Sequence, residues 1–282
     1  VFADDHGMEK DTYYAFFGIA ANNPPAVVAA MDKFNASDCG QASPSSVALM
    51  GEAFNGNEPS THTFVVTYEG AEEIDETLSI INSCPEYAEF LTEMAAVSVP
   101  TEQILNKVVY EVGDWTQERA FAVFEMNVRN EASYLEAYKK FTDASVASGL
   151  LTGAFGIQRA IASSEYTHFA FIGAENMTEL MGFMDSLDMD NPDFAEFQNS
   201  VRRNRSIVRR GIVVPIKGLG LRKLNEKKGA SGSFFYSSLS SSVPLLSSLP
   251  RTFMRVCKAV TSFTEASSLF KTPSVLLSKL SN

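Results

Sequence analysis

The chemistry available to this chain rests on a few polar side chains set in apolar, strand-like stretches. In residues 119–128 one alternating row reads Phe121, Val123, Glu125 and Asn127, while Ala122, Phe124, Met126 and Val128 form an apolar row suited to packing beneath helices. A carboxylate partly withdrawn from water among aromatic walls gains proton affinity and can work as an acid or a base. Glu125 is therefore a candidate catalytic residue and Asn127 a candidate to hold the substrate. The alternative is that both sit hydrated at a sheet rim, where most glutamates are found. The matching row earlier in the chain is Tyr14, Phe16, Gly18 and Ala20, so Tyr14 and Phe121 are candidate walls of the same space.

Glu52 and Arg159 form a second candidate pair. Both lie on otherwise apolar rows, Glu52 with Met50 and Phe54, Arg159 with Phe155, Ile157 and Ile161. A charge on such a row needs a partner, because an isolated buried charge is very costly. Arg159 can grip a ligand carboxylate or enolate with two parallel hydrogen bonds; an internal ion pair, or a charge reaching out at a strand end, is the plainer reading. His62 and His168 each follow a threonine at the start of a strand, and His168 is the second candidate catalytic residue. Either histidine can serve as a general base, as a haem ligand, or as an ordinary structural group. No Walker loop, Rossmann glycine pattern, HExxH, paired CxxC or G-x-S-x-G occurs, so no motif calls for a cofactor and no metal site is expected.

Charge is divided sharply along the chain. Residues 1–201 carry 32 of the 34 acidic groups and only 8 of the 23 basic ones, whereas 202–282 carry 15 basic and 2 acidic. An acidic body repels phosphate, which argues against nucleic acid as a partner. The cluster Arg202, Arg203, Arg205, Arg209 and Arg210 ends a long helical stretch. There cations complement the helix C-terminus, with an anion site or an acidic surface of another subunit as alternatives. No apolar run approaches the roughly 20 residues of a transmembrane helix. Val1-Phe2-Ala3 before Asp4-Asp5 resembles the end of a cleaved signal peptide, which implies export; an arbitrarily cut cytoplasmic fragment is the other reading. Cys39 and Cys84 can pair in an exported protein if they lie close enough in space.

These residues are positioned by a repeated unit with an offset of 107. Tyr14-Ala15-Phe16-Phe17 returns as Phe121-Ala122-Val123-Phe124, Asn23 as Asn130, Ala30 as Ala137 and Lys33-Phe34 as Lys140-Phe141. Pro85-Glu86-Tyr87-Ala88-Glu89-Phe90 returns as Pro192-Asp193-Phe194-Ala195-Glu196-Phe197. Residues 14–34 contain six identities in 21 ungapped positions, against about one or two by chance, so we read a duplication. At this offset Glu52 falls opposite Arg159.

Each copy reads β-α-β-β-α-β. The first has strands over 12–20, 46–54, 61–69 and 104–112, with helices after Asn22-Asn23-Pro24-Pro25 and over 71–96, the latter broken at Cys84-Pro85. The second has strands over 119–128, 153–162, 165–172 and 206–216, with helices over 131–148 and 175–204, the latter broken at Asp190-Asn191-Pro192. The predicted organisation is an N-terminal segment 1–11, repeats 12–116 and 117–220, and a tail 221–282. Residues 229–282 contain 15 serines and a single acid, Glu265, which reads as a disordered or loosely attached tail.

A β-α-β-β-α-β unit is the ferredoxin-like arrangement, with both helices on one sheet face and the other face bare. Two such units in one chain can cover each other's bare faces. The pattern over 12–216 resembles the dimeric α+β barrel superfamily in a tandem, single-chain form. That resemblance implies an α+β fold and leaves the chemistry open, since the superfamily includes cofactor-free monooxygenases, isomerases and decyclases, and haem-binding chlorite dismutase-like and dye-decolourising peroxidase-like proteins. The glycine-containing signature expected of the last group is not evident. The function expected is binding of a small aromatic or anionic molecule between the halves, with oxygenase or isomerase chemistry as its catalytic form. The alternatives are a haem-binding barrel, or a non-enzymatic assembly protein whose barrel is filled by its own side chains and which associates with itself.

Overall fold

The structure, a computed structural model, describes residues 11–219. The N-terminal triplet read as a signal-peptide remnant and the serine-rich tail lie outside the described residues. The first half runs β1 (Thr12–Ala21), α1 (Pro24–Asn35), α2 (Asp38–Ala42), β2 (Ser46–Phe54), β3 (His62–Glu69), α3 (Ala71–Asn82), α4 (Pro85–Val97) and β4 (Ser98–Val112). A 3-10 turn, Trp115–Gln117, leads to β5 (Ala120–Val128), α5 (Glu131–Ala147), β6 (Phe155–Ala162), β7 (His168–Ala174), α6 (Met177–Asp185), α7 (Pro192–Val201) and β8 (Arg205–Leu219).

Asparagines and prolines set the helix starts as their chemistry requires. The side chains of Asn23, Asn130, Asn176 and Asn191 cap α1, α5, α6 and α7 by accepting free backbone N–H groups. Pro24, Pro85 and Pro192 occupy first-turn positions where no N–H is needed. Cys84-Pro85 and Asn191-Pro192 thus divide the long helical stretches into two helices each.

The eight strands form a closed antiparallel barrel in the order β1-β3-β2-β8-β5-β7-β6-β4, returning to β1. Within it each half keeps the ferredoxin-like order, β4-β1-β3-β2 and β8-β5-β7-β6. The free edges pair across the halves, β2 with β8 and β4 with β6, so no edge of either sheet is left open. The fold is the expected α+β barrel.

Strand alternation separates two environments. Val27, Ala30 and Met31 of α1 and Met94 of α4 pack on Ile19, Leu49 and Phe64 outside the first half. Tyr134, Tyr138 and Phe141 of α5, with Leu180, Phe183 and Phe197, pack on Ala122, Met126, Ile157 and Ala170 outside the second. The inner faces meet in a third cluster that draws on both halves, including Tyr14, Phe16, Met50, Ile104, Phe121, Val123, Phe169 and Phe171. Burial of these faces is the main force holding the halves together.

Two features differ from the sequence expectation. β4 begins at Ser98, six residues before the predicted start at Ile104, and the short helix α2 interrupts a stretch with no helical pattern in the sequence. The offset of 107 also fails locally. Ile19 pairs with His62 and Met126 with His168, which makes the two histidines equivalent. Gly51 pairs with His62 and Arg159 with His168, so Arg159 matches Gly51 rather than Glu52. A one-residue slip moves a side chain to the other sheet face, and that separates Glu52 from Arg159.

Candidate functional site

The barrel interior is apolar in the middle and polar towards the ends. In the middle the rings of Phe16 and Phe169 meet edge to face at 4.9 Å between centroids, and those of Phe121 and Phe171 at 6.2 Å. At one end the linker between the halves folds over the strands. Gly113 takes φ +85°, a conformation that suits glycine, and Trp115 then packs on Tyr14 and Phe121. Trp115 Nε1 donates to Tyr14 Oη at 2.9 Å, and Tyr14 Oη donates to Glu111 Oε1 at 2.9 Å. Burial, with Glu111 beside it, holds the Tyr14 phenol well above its ordinary range and therefore neutral.

At the other end Glu52, Glu102, Glu125 and Arg209 converge from β2, β4, β5 and β8. Arg209 Nε and Nη2 both donate to Glu125 Oε1, at 2.9 and 2.6 Å, while Nη1 reaches Glu52 Oε2 at 3.5 Å. Thr63 Oγ1 donates to Glu52 Oε1 at 2.8 Å. Burial opposes the Arg209 charge, but the bond to Glu125 overrides it and holds the guanidinium protonated. Burial raises Glu125 above the usual carboxylate range despite Arg209. It raises Glu102 further, to about 7, with help from the charges of Glu125 and Glu52 and against that of Arg209. Three carboxyl groups thus share one cation, and one of them changes protonation near neutral pH.

Gly18 makes room for this arrangement. A Cβ there would stand 2.6 Å from Glu102 Cγ and 2.6 Å from Thr101 Oγ1. Gly18 pairs with Glu102 as Glu125 pairs with Arg209. At this level the first half thus supplies a glycine and an acid, the second an acid and an arginine. The site is made where the halves differ.

A polar chain continues inward. Asn106 Nδ2 donates to Tyr166 Oη at 3.1 Å. Tyr166 is held neutral chiefly by burial and is coupled electrostatically to Glu125, Glu102 and Arg209. Asn106 and Gln158 are 0% and 3% exposed, yet Asn106 Oδ1 and Gln158 Oε1 have no hydrogen-bond partner among the described residues.

Of the side chains singled out in the sequence, Tyr14, Phe121, Glu125 and Glu52 face the interior, and Glu125 and Glu52 are joined through Arg209. Asn127 is exposed at the end of β5. Arg159 lies on the outer face, where its Nη1 donates to Glu131 of α5 at 3.0 Å. His168 is also outward, with Nε2 at 3.0 Å from Glu131 Oε2 and Nδ1 at 2.9 Å from Thr167 Oγ1. His62 occupies the equivalent outer position, its Nδ1 2.8 Å from Thr61 Oγ1. Glu125, Asn127, Arg159 and His168 are therefore not one constellation.

Sequence reasoning does not single out Glu102, and it offers Arg209 only within a cluster of cations for which an anion site is one alternative. Glu102 falls before the predicted start of its strand, although the glycine at position 18 of the opposing row is a signal for a side chain folding over it. Arg209 groups in sequence with cations at the end of a helix, but α7 ends at Val201 and Arg209 lies within β8.

Cys39 and Cys84 form a disulfide with Cα atoms 6.2 Å apart, tying α2 to the start of α4. Two surface grooves lie between paired helices at equivalent places. One, of about 280 Å³, is lined by Lys33, Phe34, Glu89 and Phe90; the other, of about 20 Å³, by Lys140, Phe141, Glu196 and Phe197. No helix among the described residues is long and apolar enough to cross a membrane.

No family model matches the chain, and no curated protein matches it in sequence. Solved structures do match in shape. An anthrone oxidase-like protein superposes with a TM-score of 0.50 at 8% identity, covering 75% of this chain and 94% of its own. A chlorite dismutase variant from Candidatus Nitrospira defluvii gives 0.47 at 9% identity, covering 72% and 92%. A haem-binding protein from Thermus thermophilus gives 0.46 at 8% identity, covering 76% and 94%. At these identities the likeness concerns the fold alone. The chain folds as a ferredoxin-like α+β barrel, with both halves in one polypeptide.

Proposed function

We propose that this barrel binds a small, partly aromatic molecule in its interior and moves a proton on it, in the manner of an isomerase or a cofactor-independent oxygenase. The observation that carries this reading is the inward-facing group Glu52, Glu102, Glu125 and Arg209, in which three carboxyls share one cation beside aromatic walls. Burial of this kind is costly and matches what acid–base catalysis requires, a carboxyl able to gain and lose a proton near neutral pH. Glu102 is suited to exchange the proton. Glu125 is held in one orientation by two bonds from Arg209, and Tyr166 supplies a neutral hydroxyl. Apolar walls with a few convergent polar groups are the usual form of a small-molecule site.

Several solved structures of this shape are named as oxidases, chlorite dismutases or haem-binding proteins. Haem does not suit the residues of this interior, because His62 and His168 both face the helix layer and His168 commits both ring nitrogens. The contacts among Phe16, Phe121, Phe169 and Phe171 favour a second reading, a barrel filled by its own side chains that serves assembly. The Cys39–Cys84 bond favours an exported protein, since disulfides persist in oxidising compartments.

One experiment separates the two functional readings. Trp115 is the single tryptophan and packs on the interior cluster, so its fluorescence reports occupancy. The purified chain would be weighed by native mass spectrometry for a retained small molecule, then titrated with aromatic fragments while Trp115 emission is followed. Saturable binding that is lost in Glu125→Leu supports the proposal. A bare chain mass together with no fragment response overturns it in favour of the filled barrel.

A further inference from the structure

The interior is rich in acceptors and poor in donors. Glu52, Glu102 and Glu125 face Arg209 as their shared cation, and Arg209 directs its hydrogen bonds to Glu125 and Glu52. Beyond them stand the two orphaned amide oxygens. Asn106 faces inward, since its neighbours in register are Tyr14 on β1 and Ala160 on β6. Gln158 faces inward as well, level with Phe169, which is itself level with Glu125. In each case the amide carbonyl lacks a donor among the described residues although the residue is almost wholly buried. A buried carbonyl without a donor is costly, so these two oxygens mark places where a donor belongs. Around them lie aromatic faces, with Tyr166 and Phe169 at 6.3 Å and Phe16 against Phe169.

Carboxylates in excess over cations, free amide carbonyls and aromatic faces together recognise one chemical class. An organic ammonium can donate three hydrogen bonds, is attracted by carboxylates and is stabilised over ring faces. A carboxylate or phosphate would meet like charge, and Arg209 is already engaged by Glu125 and Glu52. We infer that the ligand of this barrel is a small arylalkyl amine in its ammonium form, whose N–H groups reach Asn106 Oδ1 and Gln158 Oε1 while its ring packs against Phe16, Tyr166 and Phe169. This rests on the reading of the barrel as a small-molecule site and names the class that site takes. It replaces the anionic ligand expected from Arg159, which the structure places outside the barrel.

The test uses three molecules of nearly equal shape: benzylammonium, benzyl alcohol and benzoate. Each is titrated at pH 7.5 into the full chain by calorimetry, with Trp115 fluorescence in parallel. The expected result is binding of benzylammonium at least tenfold tighter than benzyl alcohol, with no measurable binding of benzoate. Gln158→Leu should weaken benzylammonium about tenfold. Gln158→Glu keeps the shape, adds a charge and should tighten it, so the test survives if the leucine variant fails to fold. Equal binding of the alcohol, or preferential binding of benzoate, overturns the ammonium assignment and leaves a small-molecule site standing. Binding of none of the three, with no other fragment found by Trp115 fluorescence, overturns both and assigns the orphaned carbonyls to ordered water only.

Discussion

Replacing Glu102 by glutamine should make the protein more stable at high pH and leave it unchanged at low pH. The folded chain raises the Glu102 proton affinity to about 7 from an ordinary value of 4.5, chiefly by burial. Between those two values the folded state holds a proton that the unfolded chain has released. Stability therefore falls as pH rises through that window and is lowest above it. The full conversion gives a ceiling of about 3.4 kcal/mol. Glu102 is only half-buried, so solvent screening reduces this to roughly 1.5 kcal/mol. Glutamine carries no proton to lose and escapes the penalty. Urea denaturation at pH 5 and pH 8 would show it: Glu102→Gln should gain about 1.5 kcal/mol over wild type at pH 8 and close to none at pH 5. An equal difference at the two pH values, or a loss at pH 8, would refute the placement of this carboxyl inside the barrel.

Other perturbations probe the same structure. Arg209→Met leaves Glu125 and Glu52 buried without a cation and should cost about 3–5 kcal/mol at pH 8. Much of that loss should return as the pH is lowered and the carboxyls protonate, which thermal melts across pH would record. Gly18→Ala places a methyl group 2.6 Å from Glu102 Cγ and should cost about 1–3 kcal/mol. It should also push Glu102 into water and flatten the pH dependence of stability; a full pH effect in this variant would contradict the packing. Reduction of Cys39–Cys84, which closes a loop of separation 45, should lower stability by about 2–4 kcal/mol. A melting temperature unmoved by dithiothreitol would show that the bond does not form.

The scaffold was legible because its residues repeat. Asn23 and Asn130, Lys33-Phe34 and Lys140-Phe141, and Pro85 and Pro192 cap and pair the helices in both halves. Phe34 meets Phe90 at 5.3 Å as Phe141 meets Phe197 at 5.1 Å. Such positions answer to local rules of capping and helix packing, which act within a short stretch of chain. Alternation likewise placed Tyr14, Phe121 and Glu125 inside. The polar cluster was less legible because it depends on register across strands distant in sequence. The offset is 107 at Ile19 and Met126 but 108 at Gly51 and Arg159 and 106 at His62 and His168, because the connections between strands differ in length between the halves, and a constant offset cannot follow them. Glu52 and Arg159 show the consequence, since one residue of slip turned an expected pair into an inward acid and an outward cation. Repetition identified the frame, and the site arose at Gly18, Glu102, Glu125 and Arg209, where the halves diverge.

A carboxyl group inside this barrel exchanges its proton near neutral pH. Carbon-13 NMR of the chain labelled at glutamate side-chain carboxyls, followed from about pH 3 to pH 9, observes that exchange residue by residue. One signal should titrate near 7 and vanish in Glu102→Gln. Titration of every glutamate in the ordinary carboxylate range would show that no interior carboxyl exchanges its proton near neutral pH.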